Sequence, residues 1–211
     1  MRLKDWLATG LQYAGAVMLG SVVYGVMMST SGVVNEGLTM TAMYMLLFGA
    51  GMGMVFNMSV YKVGLPVAIG FGSTRKEAFV GMQCYRLVYT AVLLVTATAL
   101  YLLAGERGLV ELADYAPIGV GVMLILHTLG SVMGMISVRF GKGVVVALSI
   151  LSGLIIAGVI AVTMMVFALF AENISSIGGF GIWIFPAVSL VMYGLVAIPE
   201  YKTIYKYNVK L

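Results

Sequence analysis

Residues 64–86 read GLPVAIGFGSTRKEAFVGMQCYR, and they separate two long apolar runs of the chain. Charge is scarce in this protein, yet this stretch carries Arg75, Lys76, Glu77 and Arg86. Basic residues between apolar runs are typical of a loop on the inner side of a membrane. We therefore interpret residues 62–86 as a cytoplasmic loop and place the other segments around it.

The loop contains signals for a turn that is followed by a helix. The run Gly70-Phe71-Gly72 breaks a continuous helix, because glycine favours turns, and Ser73 or Thr74 can cap a new one. The next residues, TRKEAFVGMQCYRL, are compatible with a helix. We expect a short helix that begins near Thr74 and leads into the third apolar run.

Composition identifies the class of protein. The chain has 211 residues, of which 62% are hydrophobic and 9% are charged. A soluble domain carries about 25% charged residues, so this chain has too few polar groups to cover a water-exposed surface. Its basic residues form no solvated cluster of the kind that binds nucleic acid. The sequence predicts an all-α, polytopic membrane protein that binds no nucleic acid.

Six stretches between ionisable residues are long enough to cross a hydrocarbon layer of about 30 Å, which needs about 20 helical residues. None alternates apolar and polar residues, so strands are disfavoured. The predicted spans cover about 11–32, 39–61, 84–104, 117–138, 144–170 and 181–199, in a single domain of residues 1–211. Pro117 is expected to begin the fourth span, Pro186 to kink the sixth, and Pro199 to end it.

The first ten residues are interpreted in two ways. They could lie along the membrane surface as an amphipathic lead-in with Trp6 at the headgroups, or they could be a frayed terminus. The apolar run that follows MRLKDW is too long for a signal-peptide core, so the first span is expected to remain in the mature protein.

Orientation follows from the basic residues. The segments 1–10, 62–86, 139–143 and 200–211 hold eleven of the twelve Lys and Arg residues, and only Arg107 lies elsewhere. Inner loops of membrane proteins are enriched in Lys and Arg. We expect both termini in the cytoplasm of a bacterium, and the chain in its plasma membrane.

The six uncharged stretches offer little chemistry. By their definition they contain no Asp, Glu, Lys or Arg, and buried charge is what marks most intramembrane enzymes and ion-coupled carriers. His127, the only histidine, cannot hold a metal alone, and we expect it to hydrogen-bond to a neighbouring helix or to line a wet cavity. The sequence lacks the phosphate-binding loop of ATPases. No catalytic, metal-binding or cofactor-binding residue is predicted.

Small and sulfur-containing residues have two interpretations each. Small residues recur four positions apart in Ala16/Gly20, Ser21/Gly25, Gly49/Gly53 and Gly130/Gly134. Such pairs allow close helix packing within one bundle or across a dimer seam. The methionines of runs such as Met52/Met54/Met58 could fill the core or line a path for an apolar cargo.

The loop resembles a segment of a known transporter family. Leu65-Pro66, then Gly72-Ser73-Thr74-Arg75-Lys76, then Phe79 and Gly81, follow one another as in the loop after the second span of small type-2 ABC transporter permeases. The resemblance covers about 20 residues closely, and length and span number agree with these six-span bacterial exporter subunits of the lantibiotic-immunity and drug-exporter type.

The resemblance implies a partner and a mechanism. Two permease chains, identical or related, would form the pathway, and a separate ABC ATPase subunit would bind ATP and Mg²⁺. Coupling to that subunit would use Gly72, Ser73, Thr74, Arg75, Lys76 and Glu77. This chain would then be a transporter subunit without enzymatic activity of its own. An alternative is a membrane-embedded anchor that recruits a cytosolic partner through the same loop and has no transport pathway.

Overall fold

The structure is a computed structural model that describes residues 3–28, 34–140, 144, 147, 150–151, 154, 158 and 179–206. The ordered elements in these ranges are α1 (Leu3–Met28), α2 (Val34–Ser59), a π-helical turn (Val60–Gly64), α3 (Leu65–Gly70), α4 (Arg75–Leu103), α5 (Glu106–Arg139) and α6 (Gly179–Tyr205). Every regular element within the described ranges is helical, which confirms the all-α prediction there.

Five helices in these ranges are long and apolar enough to cross a membrane. The candidates are Leu3–Met27, Val34–Gly70, Arg75–Leu103, Tyr115–Arg139 and Trp183–Tyr205, and the second combines α2, the π-helical turn and α3. The chain therefore has the helices of a multi-pass membrane protein. The predicted span 144–170 lies outside the described residues, apart from six isolated helical positions.

Helix α1 begins earlier than the sequence suggested. It starts at Leu3, and Trp6 is only 1% exposed. The indole lies so close to Gly81 that even a β-carbon there would overlap it, and it also lies against Gly64. Trp6 therefore packs inside the bundle, and the alternative of a frayed terminus is wrong, because two glycines leave a space that the indole fills.

Two prolines lie inside helices, although Pro117 is only two residues after Tyr115, where the fourth candidate membrane span begins, close to its predicted place at the start of that span. Pro117 is in the middle third of α5, which begins at Glu106, and Pro199 is followed by six more residues of α6. A proline removes one backbone donor, and neighbouring helices and local adjustments compensate for this loss in membrane helices. In α6 the helix continues because Glu200, the residue after Pro199, is held in the protein interior.

Helix α2 is the centre of the bundle and packs against α1, α4 and α5, whereas α6 packs mainly against α5. Close approach depends on small residues, as predicted for three of the four pairs. Added β-carbons would meet Leu93 at Gly49, His127 at Gly53, Met54 at Gly130 and Tyr61 at Gly134, and Gly25 lies against Thr41. A β-carbon added at Gly20 would have no atom of a neighbouring described residue within 4 Å. The buried Met54, Met58 and Met133 belong to the core, which favours the packing interpretation for them.

Helix α4 presents one face to the bundle. Its buried residues follow one another at intervals of one, three or four positions, as in an amphipathic helix, and they are Ala78, Gly81, Met82, Tyr85, Arg86, Tyr89, Leu93, Ala97 and Tyr101. One charged residue, Arg86, is part of this otherwise apolar or aromatic face. The face positions the loop at one end of α4 and a buried charge about 16 Å along the helix from Arg75.

Candidate functional site: an exposed helix tip above a buried ion pair

A tight turn joins α3 to α4. Gly72 has a φ angle of 85°, a backbone conformation that strongly favours glycine. The N–H of Gly72 donates to the carbonyl of Ile69, and the N–H of Ser73 donates to that of Ala68, both at 3.0 Å. These bonds close the end of α3, as the Gly-Phe-Gly run predicted.

Thr74 starts α4, and of the two predicted caps it is the one that is used. Its hydroxyl accepts a hydrogen bond from the N–H of Glu77 at 3.2 Å, and the Glu77 carboxylate accepts one from the N–H of Thr74 at 2.8 Å. This reciprocal arrangement is a capping box, which satisfies two backbone donors at the helix start. The turn therefore has a defined shape although it is exposed.

The residues predicted to couple to a partner lie together in the structure. We define the tip as residues 71–77; all of them are exposed except Ser73, which is half-buried. Phe71 is 80% exposed, the highest value among the large hydrophobic residues that the structure describes. An open groove at the tip is lined by Leu3, Phe71, Gly72, Ser73, Thr74, Lys76, Glu77 and Val80. The tip thus combines an apolar ring, a groove and the two cations Arg75 and Lys76.

The loop 62–86 is smaller than predicted. Helical structure extends through Gly70 from one side and begins again at Arg75 on the other, so only residues 71–74 are non-helical. The expected short helix is the first part of α4 rather than a separate element. Consequently the tip is the end of a hairpin of two long helical arms, α2–α3 and α4.

A buried ion pair is the feature that the sequence interpretation missed. Arg86 is 2% exposed and Glu200 is 1% exposed. The guanidinium donates from Nη2 to Oε1 at 2.6 Å and from Nη1 to Oε2 at 2.9 Å, in bidentate geometry. The expectation of a bundle without buried charge is therefore wrong, because the two residues used as boundaries of apolar stretches are both turned inward.

Neighbouring polar side chains make further hydrogen bonds to both members of the ion pair. The Tyr61 hydroxyl donates to Glu200 Oε1, and Gln83 Nε2 donates to Oε2 at 3.0 Å. Arg86 Nε donates to Asn57 Oδ1 at 3.0 Å. Each oxygen of the carboxylate thus accepts two hydrogen bonds, which compensates part of the cost of removing the charges from water.

The same network reaches one more side chain and the backbone of a further helix, α5. The Tyr193 hydroxyl donates to Gln83 Oε1 at 2.7 Å, and Asn57 Nδ2 donates to the backbone carbonyl of His127 at 3.2 Å. We define the polar network as Asn57, Tyr61, Gln83, Arg86, Tyr193 and Glu200. Its members come from α2, the π-helical turn, α4 and α6, and it contacts α5 through a carbonyl.

The π-helical turn positions Tyr61 in this network. Such turns are rare and occur frequently at functional sites. The Tyr61 ring lies directly over Gly134 of α5, where any side chain would overlap it, and its hydroxyl reaches Glu200 of α6. The turn therefore brings one tyrosine into contact with two further helices.

His127 differs from its expected role. Its ring is 2% exposed and lies 5.6 Å from the ring of Tyr89, against Gly53. Nε2 makes no hydrogen bond within the described part of the chain. The side chain is a packing element there, and its backbone carbonyl, not its imidazole, contacts the polar network.

A signal for the ion pair was present in the sequence. Asn57 and Tyr61 are polar groups near the end of an apolar run, and Glu200 is the only acidic residue of the last twelve. A lone carboxylate beside an apolar helix needs a cationic partner if it is buried. Nothing in the spacing, however, selects Arg86 among the basic residues.

The described residues contain no group of three or more His, Cys, Asp and Glu side chains that could hold a metal ion. Comparisons with protein-family models, curated proteins and solved structures found no match to this chain. The function is therefore inferred from the tip, the polar network and the sequence resemblance of the loop.

Proposed function

We propose that this chain is the membrane-spanning permease subunit of an ATP-driven exporter, coupled to a separate ATPase subunit and assembled with a second permease chain. The observation that carries the proposal is the tip: a rigid, exposed turn at the end of two long apolar helices, with Phe71, Arg75 and Lys76 on its surface. The loop resemblance supports the same assignment.

The chemistry of the tip favours a folded protein partner. A lipid surface would be bound by basic residues alone, and such binding needs no defined turn. Here a capping box and a left-handed glycine fix the backbone, and an aromatic ring stands beside a groove. Arginine and lysine next to an apolar anchor suit a surface that offers acidic residues around an apolar pocket.

The proposed orientation places the tip, both termini and the C-terminal cations in the cytoplasm of a bacterium, where ATP is available. The chain would have six spans in the plasma membrane, with 144–170 as the fifth. A cysteine substituted for Lys76, in a Cys84→Ser background, should react with an impermeant maleimide only in inverted vesicles. Reaction in intact cells would contradict this orientation.

Co-purification tests the partner. The full chain, tagged at one terminus, should retain an ATPase chain when it is extracted from native membranes in mild detergent. Arg75→Glu or Lys76→Glu should lower the recovered ATPase about tenfold to a hundredfold, because each removes a charge-assisted bond of roughly 1.5–3 kcal/mol. Lys202→Glu, an exposed cation on α6, is the matched control and should retain the partner.

Two results would overturn the proposal. If the wild-type chain retains a cytosolic partner without ATPase activity, the anchor interpretation is correct instead. If Arg75→Glu and Lys202→Glu recover the ATPase equally well at normal membrane levels of the chain, the tip is not the contact.

A further inference from the structure

We propose that Arg86 and Glu200 form a joint that makes α4 and α6 move as one body while the protein works. This inference rests on the proposed function, because the motion it transmits is the one that a partner imposes on the tip. It assigns positioning roles to two residues that lie outside residues 65–81, the part of the loop that carries the resemblance.

The ion pair joins two helices that otherwise share few contacts. Helix α6 packs mainly on α5 and shares few contacts with α4. The contacts that do join α4 to α6 include the Phe79–Tyr201 ring pair, with centroids 5.2 Å apart, and the bonds from Gln83 and Arg86. Strong directional bonds therefore replace broad apolar contact at this interface.

Separating the two members of the ion pair would be costly. The carboxylate accepts four hydrogen bonds, and the guanidinium donates four: two to Glu200, one to Asn57 and a longer one of 3.5 Å to Gln83. A second arrangement nearby would have to replace most of these bonds. Separating the two side chains inside a bundle would leave two buried charges uncompensated, which is far more costly than moving the two helices together. The geometry thus favours a permanent joint over a latch that opens in each cycle.

The joint includes both arms of the hairpin. Arg86 and Gln83 belong to α4, and Tyr61 belongs to the helical segment that ends at the tip from the other side. Both arms are bonded to the same carboxylate of α6. A displacement of the tip would therefore reach α6 through two connections at one level of the bundle.

A reversible cross-link between α4 and α6 tests the inference. In a Cys84→Ser chain, Phe79→Cys and Tyr201→Cys are linked by a short, reducible bis-methanethiosulfonate, because rings that meet edge to face leave the backbones too far apart for a direct disulfide. The linked complex with its ATPase is reconstituted in vesicles, and ATP hydrolysis is measured before and after reduction. A joint predicts equal rates, whereas a rate that is lost on linking and restored by reduction would overturn it.

The role of the ion pair itself is read from the rate of cross-linking in membranes, which needs no partner. Arg86→Gln and Glu200→Gln should each slow linking about tenfold, since an unpaired buried charge drives the helices apart. Arg86→Gln/Glu200→Gln, which leaves no buried charge, should recover most of the rate, and Lys202→Gln is the control. Equal linking in all variants would refute the joint even if the ATPase co-purifies. If the two single variants link slowly but the chain retains no ATPase, only the proposed function is refuted and the joint is not.

Discussion

The stability of Glu200→Gln provides a direct test of the buried ion pair. The substitution keeps the shape of the side chain but removes the charge that faces Arg86. Because Arg86 is only 2% exposed, its guanidinium cannot turn to water without disturbing the bundle. The variant therefore keeps a buried cation without its counter-charge.

The expected loss can be worked out from this geometry. Removing one partner of a buried pair costs about 3–5 kcal/mol, which lowers the ratio of folded to unfolded protein by roughly two to three and a half powers of ten. Arg86→Gln should lower the free energy of unfolding by a similar amount, because it leaves the Glu200 carboxylate buried without a cation. The double variant Arg86→Gln/Glu200→Gln contains no buried charge, and its two amides can still bond to Tyr61 and Asn57. It should be more stable than either single variant.

Unfolding of the purified chain by sodium dodecyl sulfate in mixed micelles would measure these differences. The indole of Trp6 is buried against Gly64 and Gly81 of the two hairpin arms and reports on the bundle by its fluorescence. Lys202→Gln, which removes an exposed charge from the same helix as Glu200, should change the free energy of unfolding by less than about 0.5 kcal/mol. Added salt should leave the wild-type value almost unchanged, since buried pairs are poorly screened.

One result would refute the reasoning. If the cost of the double variant equals the sum of the two single costs, Arg86 and Glu200 do not interact, and their side chains are solvated in the folded protein.

Three further predictions concern the hairpin. Gly81→Ala should cost about 1–3 kcal/mol in the same micelle unfolding assay, because its methyl group overlaps the Trp6 indole, whereas Gly20→Ala should be neutral, because no described residue lies within 4 Å of the added carbon. Thr74→Ala should destabilise the start of α4 by about 1 kcal/mol and speed amide exchange there, and Thr74→Ser should preserve both, since its hydroxyl can still cap the helix. Tyr61→Phe should cost about 1–3 kcal/mol in micelle unfolding, because Glu200 loses a buried donor.

The tip was predictable because its structure is local. A glycine that needs a left-handed backbone, a threonine cap and a glutamate three residues later are neighbours in the sequence, and their bonds close within one turn. The apolar runs were predictable for a similar reason, since helix length against membrane thickness is a property of each run alone. These features needed no knowledge of how the helices pack.

The ion pair was not predictable in the same way. Arg86 and Glu200 are 114 residues apart. Charged residues are expected at the ends of a membrane span, and this expectation places both residues on the aqueous side. That expectation uses only the position of a charge along the chain, whereas its burial depends on which face of the helix packs against a neighbouring helix. The start of α1 and the end of α6 were misjudged for a related reason: packing around Trp6 and Glu200 continues these two helices through positions where the local sequence suggests an end.

These two kinds of feature belong to one arrangement. A turn that is fixed only locally could move by itself when a partner binds, and it would transmit nothing. Here the arms behind the turn are bonded to a third helix through Tyr61 and Arg86, both of which contact the Glu200 carboxylate. An exposed tip and a buried charge pair on the same helical hairpin therefore support the two proposals together: a tip that is to transmit the displacement imposed by a partner needs arms that do not absorb it.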